Sequence, residues 1–330
     1  MFQEPDDVDR AHLCDFVSSK WGLRLDTLIY EPVGFGTHHY KATDADGNRW
    51  FVNVDELDPF EPTSTPDDEF GWLDRKLRTS VALKQAGLDF VHAPSTNQDG
   101  CVLERYDEDD DYAVSVYAWV DGTSADFGPY RDDQERRRVL RAIGQMHAAT
   151  DQVPSDLPLR DDLEVLSRPQ FFEALNDLDQ PWMGGPYSEP TRLALIDNEE
   201  RIRGLFDTYD ELRAKISRDD WVVTHGEPHA ANIIRTGGES FVLIDWDTVA
   251  LGPRERDVWM LQPKDGDWSD YATPIVEFDP VAVELFDRRW TLTEITLYTS
   301  WFRGPHVEDK DTRFAFPTFE HYLKGQDDTS

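Results

Sequence analysis

In the first third of the chain, hydrophobic and polar residues alternate in short runs, which is the pattern of half-buried strands. Two longer stretches, residues 8–21 and 67–86, have apolar residues at helical spacing instead. Residues 44–48 form a hairpin turn by composition, and residues 58–66, with their prolines, form a loop. The first predicted strand covers residues 23–30, and the second follows the turn 34–37 and ends at residue 42. The other predicted strands are residues 50–54, 90–91, 101–103 and 112–117.

From Pro129 onward the apolar spacing becomes mainly helical. The predicted helices are residues 131–149, 161–178, 189–216, 280–302 and 316–324. The sequence therefore predicts an α+β protein with a β-rich N-terminal lobe, residues 1–121, and a mainly helical C-terminal lobe, residues 122–330.

Two apolar runs flank a polar cluster in the second half of the chain. The first is V-V-T-H-G-E-P-H-A-A-N-I-I at residues 222–234, and the second is V-L-I-D-W-D at residues 242–247. Asn and Asp oxygens are suitable ligands for Mg²⁺ on nucleotide phosphates, and a nearby carboxylate can accept a proton from a hydroxyl. Asn232 and Asp245 are therefore candidate metal ligands, and Glu227 is the candidate proton acceptor.

These residues resemble the aminoglycoside phosphotransferase family, whose usual pattern is H-G-D-x-H-x-x-N followed by I-D-x-D/E. This chain has Glu227 where the family usually has Asp. The resemblance implies a bilobal protein-kinase-like fold and Mg²⁺-dependent transfer of the γ-phosphate of ATP or GTP to a hydroxyl of a small molecule. An aminoglycoside or aminocyclitol antibiotic is the first candidate. The resemblance also implies that His225 and His229 brace the loop, and His229 is kept as a second catalytic candidate.

The candidate nucleotide-binding residues lie in the N-terminal lobe. A G-F-G turn lets backbone N–H groups approach phosphates without a Cβ in the way. Kinase-like families place a phosphate-pairing Lys on the third strand, where this chain has Asn53, so Lys41 on the neighbouring strand is the predicted substitute. The alternative is that Lys41 is solvated and that Mg²⁺ and backbone amides hold the phosphates. The strand ending near residue 118 corresponds by resemblance to the hinge that binds the adenine edge. The full set is Gly34, Gly36, Thr37, Lys41, Tyr117 and Ala118.

The resemblance places the acceptor substrate against the C-terminal helices. Glu294, Tyr298 and Trp301 lie on adjacent turns of the predicted helix 280–302, where an acid with stacking aromatics suits an aminated sugar. Asp267 beside Trp268 is a second candidate. Packing of the same side chains into a core is the alternative interpretation.

Composition narrows the class of partner. The net charge of −34 disfavours nucleic acid and anionic membranes and would attract a polycationic substrate, although scattered acidic residues are also typical of solubility or high-salt adaptation. The chain has no apolar run of roughly eighteen residues and no secretory signal pattern, so we expect a cytoplasmic protein. Cys14 and Cys101 have no metal-ligand spacing, and a disulfide is unlikely in that compartment.

Three other functions compete with this prediction. Zinc is disfavoured because Gly226 and Pro228 interrupt any helix that would carry both His residues, and no C-x-x-C is present. The acceptor could instead be a metabolite such as choline, homoserine or a sugar. The departures at Asn53 and Glu227 also allow a pseudokinase that binds nucleotide without turnover, although Asn232 and Asp245 are both retained.

Overall fold

The N-terminal lobe is built on one antiparallel sheet. The computed structural model describes residues 1–34, 36–57, 64–106, 112–271 and 276–325. The five strands pair in the order β1-β2-β3-β5-β4. They are β1 Leu25–Tyr30, β2 His38–Asp44, β3 Arg49–Glu56, β4 Glu104–Tyr106 and β5 Tyr112–Ala118.

The two faces of this sheet have different neighbours because successive residues of a strand point to opposite sides. On one face, Tyr40, Val52 and Val116 are buried with Leu13 and Val17 of helix α1, which spans Arg10–Trp21. The opposite face carries the directly paired His39 and Asn53, the pair Lys41 and Phe51, and Asp55. Helix α2, Pro66–Gln85, packs on this second face through Leu77.

The C-terminal lobe is mainly helical. Its largest core joins α4, α5, α7 and α8, with Phe171, Phe206, Phe302 and Phe319 almost fully buried. The helices are α3 Asp133–Ala148, α4 Arg168–Asn176, α5 Ser188–Arg213, α6 Glu255–Val258, α7 Pro280–Arg303 and α8 Lys310–Lys324. The expected bilobal α+β architecture is confirmed, and the predicted boundary at residue 121 stays a prediction.

Two short strand pairs hold the polar loops between the lobes. Strand β6, Val222–Thr224, pairs with β9, Ala250–Gly252, and β7, Ile233–Gly237, pairs with β8, Ser240–Leu243. The loop from β6 to β7 contains the H-G-E-P-H-A-A-N segment, and the chain leaves β8 directly into Asp245.

Some predicted elements are shifted. Residues 90–91 contribute only an isolated bridge, from Val91 to Leu243, and β4 begins at Glu104 rather than within 101–103. Residues 161–167 are not helical because Leu163 and Ser167 adopt left-handed backbone conformations, with φ of 62° and 56°. The last helix begins earlier than predicted, at Lys310.

Phe35 of the predicted glycine turn and residues 58–63 of the predicted loop lie outside the described residues. Within the described parts of the chain, none of the helices has the length and apolar character needed to cross a bilayer.

Candidate active site

One buried carboxylate anchors the loop that follows β6. Asp257 accepts hydrogen bonds from the backbone N–H groups of His225 (3.0 Å) and Gly226 (2.6 Å). The Nε2 of His147 lies 2.8 Å from the same carboxylate. Burial alone would raise the pKa of Asp257, but the hydrogen bond and charge of His147 hold that pKa below its ordinary value. The start of the loop is therefore fixed to the core of the helical lobe.

His225 braces the loop as a neutral imidazole. Its Nε2 donates to the carbonyl of Ile244 at 2.8 Å, and its Nδ1 accepts from the backbone N–H of Glu227 at 3.2 Å. Burial lowers the pKa of His225 to about 4, so the ring stays uncharged near neutral pH. The edge of Trp246 packs against the ring at 4.6 Å between centroids. His225 thus links the loop to the segment after β8, as its bracing role requires.

Glu227 and His229 lie side by side at the surface of this loop. The Glu227 side chain is 32% exposed, and its Oε2 lies 3.8 Å from the Nε2 of His229. The His229 ring makes edge contacts with Phe127 (4.9 Å) and Trp290 (6.2 Å). The two predicted catalytic residues therefore lie next to each other, and His229 connects them to a pair of aromatic rings.

The predicted metal-binding residues come from the two ends of the β7–β8 hairpin. Asn232 donates its side-chain N–H to the carbonyl of Glu227 at 3.0 Å, which leaves Oδ1 as the atom available to a cation. Its own carbonyl accepts from the N–H of Ile244 at 2.9 Å, and this bond brings Asp245 beside Asn232. Asp245 has φ of 67°, a left-handed conformation that is uncommon for a residue other than glycine and typical of functional sites.

Several carboxylates converge around Asp245. Asp245 and Asp247 keep exposed faces, but the surrounding protein restricts the hydration of Asp245. This restricted hydration, together with the negative charges of Asp247, Glu227 and Asp55, raises the pKa of Asp245 well above its ordinary value. Burial also raises the pKa of Asp55 to about 6, opposed by a 2.7 Å hydrogen bond from Thr37. So much negative charge in one place favours binding of cations.

The donor set fits Mg²⁺. Asn232, Asp245 and Asp247 supply amide and carboxylate oxygens, the hard ligands that Mg²⁺ prefers, and Mg²⁺ usually takes only one or two carboxylates from the protein. In the described parts of the chain, no three His, Cys, Asp or Glu side chains form a metal cluster. The residues thus suit a metal held partly by phosphate rather than by a complete protein cage.

The glycine turn lies above this cluster. Gly34 and Gly36 have φ of 69° and 97°, the left-handed region that favours glycine. The hydroxyl of Thr37 donates to Asp55 on β3. The turn is therefore tied to the strand face that looks onto the carboxylates.

Tyr117 and Ala118 end strand β5. The Tyr117 side chain is buried on the face opposite α1, where burial raises its pKa and the carboxylates of Asp55, Asp245 and Asp247 raise it further. Ala118 is exposed at the end of the strand. Tyr117 thus brings a side chain, and not only its backbone, toward the carboxylate cluster.

Lys41 lies against a tryptophan ring on the sheet face opposite α1, and its pairing with nucleotide phosphates stays a prediction. Its Nζ lies 4.6 Å from the centroid of the Trp119 ring. Lys41 pairs directly with Phe51, which is four residues, or roughly 13 Å, along β3 from Asp55. Trp119 lies beyond the end of β5 that is remote from Asp55, so Lys41 points away from the carboxylates.

Glu294 of α7 approaches the catalytic loop from the helical lobe. Burial and the negative charge of Glu227 raise the pKa of Glu294 to about 7, partly offset by a hydrogen bond with Tyr298. Tyr322 is a neighbour of both carboxylates and accepts a 2.9 Å hydrogen bond from the Trp290 indole N–H. Two acids and several aromatic side chains therefore share one region.

The other two predicted substrate residues have structural contacts elsewhere. Trp301 stacks on Phe302 at 5.3 Å and packs against the main core of the helical lobe. Asp267 accepts from the N–H of Ser269 at 3.0 Å and lies 3.5 Å from Arg137, whose guanidinium also binds other acids. No contact among the described residues brings Asp267 to Glu227.

Four residues of this region were missed in the sequence. Asp55 could have been found, since it lies two residues after Asn53 and therefore on the same strand face. Phe127, Trp290 and Tyr322 come from a loop and two separate helices, and Phe127 stacks on Trp290 at 5.7 Å. Their meeting depends on tertiary packing, which local periodicity does not report.

The sheet, the helical lobe and the loop between them define a protein of the kinase-like class. Residues 31–288 match the phosphotransferase enzyme family, and the chain belongs to that family. The expectation of a phosphotransferase is thereby confirmed.

Individual relatives are similar over nearly the whole chain. Protein StrN of Streptomyces griseus is 28% identical over 316 residues, which make up 91% of this chain and 87% of that protein. A spectinomycin phosphotransferase bound to ADP and spectinomycin superposes with a TM-score of 0.74 at 15% identity, covering 97% of this chain and 98% of that one. An amicoumacin kinase in complex with AMP-PNP and Ca²⁺ gives 0.61 at 10% identity, covering 96% and 93%. At these identities the structural likenesses show the fold.

Proposed function

We propose that this protein transfers the γ-phosphate of ATP or GTP, with Mg²⁺, to a hydroxyl of an aminated small molecule of the aminoglycoside or aminocyclitol kind. The observation that carries the proposal is the approach of Glu294 to Glu227, beside Trp290 and Tyr322. A carboxylate next to the proton acceptor can hold an ammonium while aromatic faces cover the sugar ring.

In this mechanism the oxygen of the acceptor hydroxyl forms a bond to the γ-phosphorus, and Glu227 accepts the proton that this hydroxyl loses. The bond from that phosphorus to the bridging oxygen breaks, and the nucleoside diphosphate leaves. Asn232, Asp245 and Asp247 would hold Mg²⁺, which when bound neutralises phosphate charge and aligns the phosphates. His225 keeps the loop in place through its bond to Ile244.

The nucleotide would lie between the glycine turn and the carboxylates. The spectinomycin phosphotransferase of similar fold is bound to ADP in one structure and to AMP in another, which supports a nucleotide co-substrate here. Gly34, Gly36 and Thr37 would cover the phosphates with backbone N–H groups. The exposed end of β5 at Ala118 would meet the base.

A metabolite kinase is the second candidate. Structures similar in fold include a microcompartment-associated aminopropanol kinase, with a TM-score of 0.61. An amino alcohol and an aminocyclitol share an ammonium near a hydroxyl, so the Glu294 and Glu227 pair suits both.

The first experiment measures nucleoside diphosphate release from ATP and GTP with Mg²⁺ across aminocyclitols, macrolides and amino alcohols. We expect turnover with an aminated acceptor, and a Glu227→Gln variant with kcat lower by about 100-fold and unchanged nucleotide affinity. Glu200→Gln, an exposed glutamate of α5, is the matched control and should keep parental kcat. Nucleotide binding without turnover of any acceptor would instead favour a pseudokinase.

The substrate class is tested through Glu294. Because its folded pKa is about 7, the carboxyl group loses its charge as the pH falls below that value, and the KM for an aminated acceptor should rise. We expect Glu294→Gln to raise the KM for an aminated acceptor at least tenfold at about pH 8. In this variant the KM should no longer depend on pH. An equal KM for parent and variant at about pH 8, where the carboxyl group of Glu294 is charged, would exclude Glu294 from the acceptor site.

A further inference from the structure

Strand β3 supplies no cation to the carboxylate cluster. Asn53 stands at the position of the expected lysine, and its Oδ1 lies 3.1 Å from the Nδ1 of His39. The next residue on the same face, Asp55, adds a negative charge. Lys41 is directed to Trp119. Nucleotide phosphates at this position would meet several acids, and a cation from another element would add to the attraction that bound Mg²⁺ supplies.

Helix α2 carries a lysine on the face that points to this cluster. Lys76, Ser80 and Leu83 are spaced i, i+4 and i+7, and therefore lie along one side of the helix. Leu83 is fully buried in the same core as Leu243 and Trp246, the residues that bracket Asp245 in sequence. Lys76 lies two turns before Leu83 on the same face of α2, and we therefore place it near the segment after β8 that contains Asp245 and Asp247.

The electrostatic neighbours of Lys76 agree with this position. Restricted hydration lowers the pKa of Lys76, whereas the negative charges of Asp247 and Glu69 raise it and Arg256 lowers it. Asp247 in turn neighbours Asp245 and Asp55. The ammonium therefore belongs to the carboxylate cluster on electrostatic grounds as well as by its helix face.

Lys76 also has spare hydrogen-bonding capacity. Among the described residues it makes no ion pair within 4.0 Å, whereas Lys20 pairs with Glu104 at 2.8 Å and Lys84 donates to the carbonyl of Asp89 at 2.7 Å. An ammonium has three donors, and a half-buried one without a fixed partner is poised to accept an anionic ligand.

We propose that Lys76 of α2 binds the nucleotide phosphates in place of the missing strand lysine. In this arrangement β3 carries the neutral Asn53 and the carboxylate of Asp55, and helix α2 supplies the cation. A lysine is suited to this task because its ammonium acts as a compact point charge that does not need the fixed geometry of a guanidinium. This assignment rests on the proposed function.

The test compares binding of ATP and adenosine, each with Mg²⁺, by isothermal titration calorimetry. We expect Lys76→Met to raise the Kd for ATP at least tenfold and to leave the Kd for adenosine unchanged, because only ATP has phosphates. Lys84→Met, on the same helix two turns later, is the matched control and should leave both Kd values unchanged.

A second variant separates phosphate binding from a structural role. Adding Asn53→Lys to Lys76→Met returns a cation to the strand and should recover part of the ATP affinity, with adenosine again unaffected. Parental ATP affinity in Lys76→Met would overturn the assignment, as would an equal loss for ATP and adenosine. If the parent protein binds neither compound, the proposed function itself is contradicted, and the role of Lys76 with it.

Discussion

Glu227, which stands where the family usually has Asp, has a backbone fixed by several hydrogen bonds. Its carbonyl accepts hydrogen bonds from the N–H of His229 (2.8 Å) and the side chain of Asn232 (3.0 Å), and its N–H donates to His225. The backbone is thus held on both sides. The additional methylene of Glu therefore places the carboxylate further from this fixed backbone than an Asp would, and Glu294 is one of its charged neighbours.

Gly226 gives a sharp prediction at this scale. Its φ is 102°, and a Cβ added there would lie 2.6 Å from the nearest guanidinium nitrogen of Arg256. Arg256 cannot withdraw, since it is bonded to Asp161 (2.7 Å) and Thr224 (2.9 Å). We expect Gly226→Ala to lower the free energy of unfolding by about 2–3 kcal/mol and kcat at least tenfold, measured by urea denaturation and turnover.

The matched control for that substitution is Gly204→Ala. Gly204 lies within α5, where an added Cβ meets open space. Replacement there should leave kcat unchanged and stabilise the protein by about 0.5–1 kcal/mol. Parental stability of Gly226→Ala would show that the loop adjusts more readily than its contacts indicate.

Residue-scale chemistry was predictable where it lies in one contiguous segment. His225, Glu227, Asn232 and Asp245 were all found in the sequence, and the structure brings them together around one hairpin. The sequence predicts Lys41 as the phosphate-pairing residue because it lies on the strand that leaves the glycine turn. Position along the strand does not indicate toward which end of the sheet a long side chain leans. In the structure Lys41 leans toward Trp119.

At the scale of elements, the buried carboxylate of Asp161 joins two helices to the loop. Asp161 accepts from Arg256 of α6 at 2.7 Å and from Arg289 of α7 at 2.6 Å. Arg256 in turn contacts Thr224 at the end of β6. Helix α7 and the loop that follows β6 are therefore held to one common point.

This junction has a defined pH dependence. Burial alone would raise the pKa of Asp161, but the charges of Arg289 and Arg256 lower it from 3.8 to about 2. Because the folded pKa is depressed, the stabilisation is fully present above about pH 4 and is lost as the pH falls through about 2. It amounts to about 2 kcal/mol.

We expect Asp161→Asn to destabilise the protein by about 3–5 kcal/mol at pH 7, since it leaves two buried guanidinium groups without their carboxylate. The difference from the parent should shrink on acidification, as measured by urea denaturation at a series of pH values. Asp210→Asn, which breaks the more exposed pair with Arg168, is the control and should cost less than about 1 kcal/mol. A difference that does not change with pH would contradict the role given to Asp161.

The same junction explains why the predicted helix 161–178 begins only at Arg168. Residues 161–178 have apolar spacing that indicates one helix, but Asp161 caps the N–H of Leu163 at 2.7 Å and its own N–H donates to Leu251. These bonds fix an irregular segment until α4 begins at Arg168. By contrast, α7 was predicted almost to the residue, because its length and periodicity outweigh any single contact.

At the scale of the whole molecule, the N-terminal segment connects the sheet to the last helix. The N–H groups of Phe2 and Gln3 donate to the carboxylate of Asp311 at 2.7 and 3.1 Å. The hydroxyl of Tyr30 on β1 lies within hydrogen-bonding distance of the carbonyls of Met1 (2.8 Å) and Gln3 (2.7 Å), which share its one proton. A residue pair more than 300 positions apart in the chain thus links the two lobes, which no local sequence pattern could indicate.

Asp311 is the residue on which this link depends, because it is only 2% exposed and accepts both N–H groups. Asp311→Ala leaves those donors unsatisfied and should lower the free energy of unfolding by about 1–3 kcal/mol. Since the link joins the lobes, hydrogen exchange should accelerate in β1 and β2 more than in α5. Asp207→Ala, an exposed site on α5, should change neither quantity. Exchange that accelerates only within α8 would mean that Asp311 stabilises its own helix and does not couple the lobes.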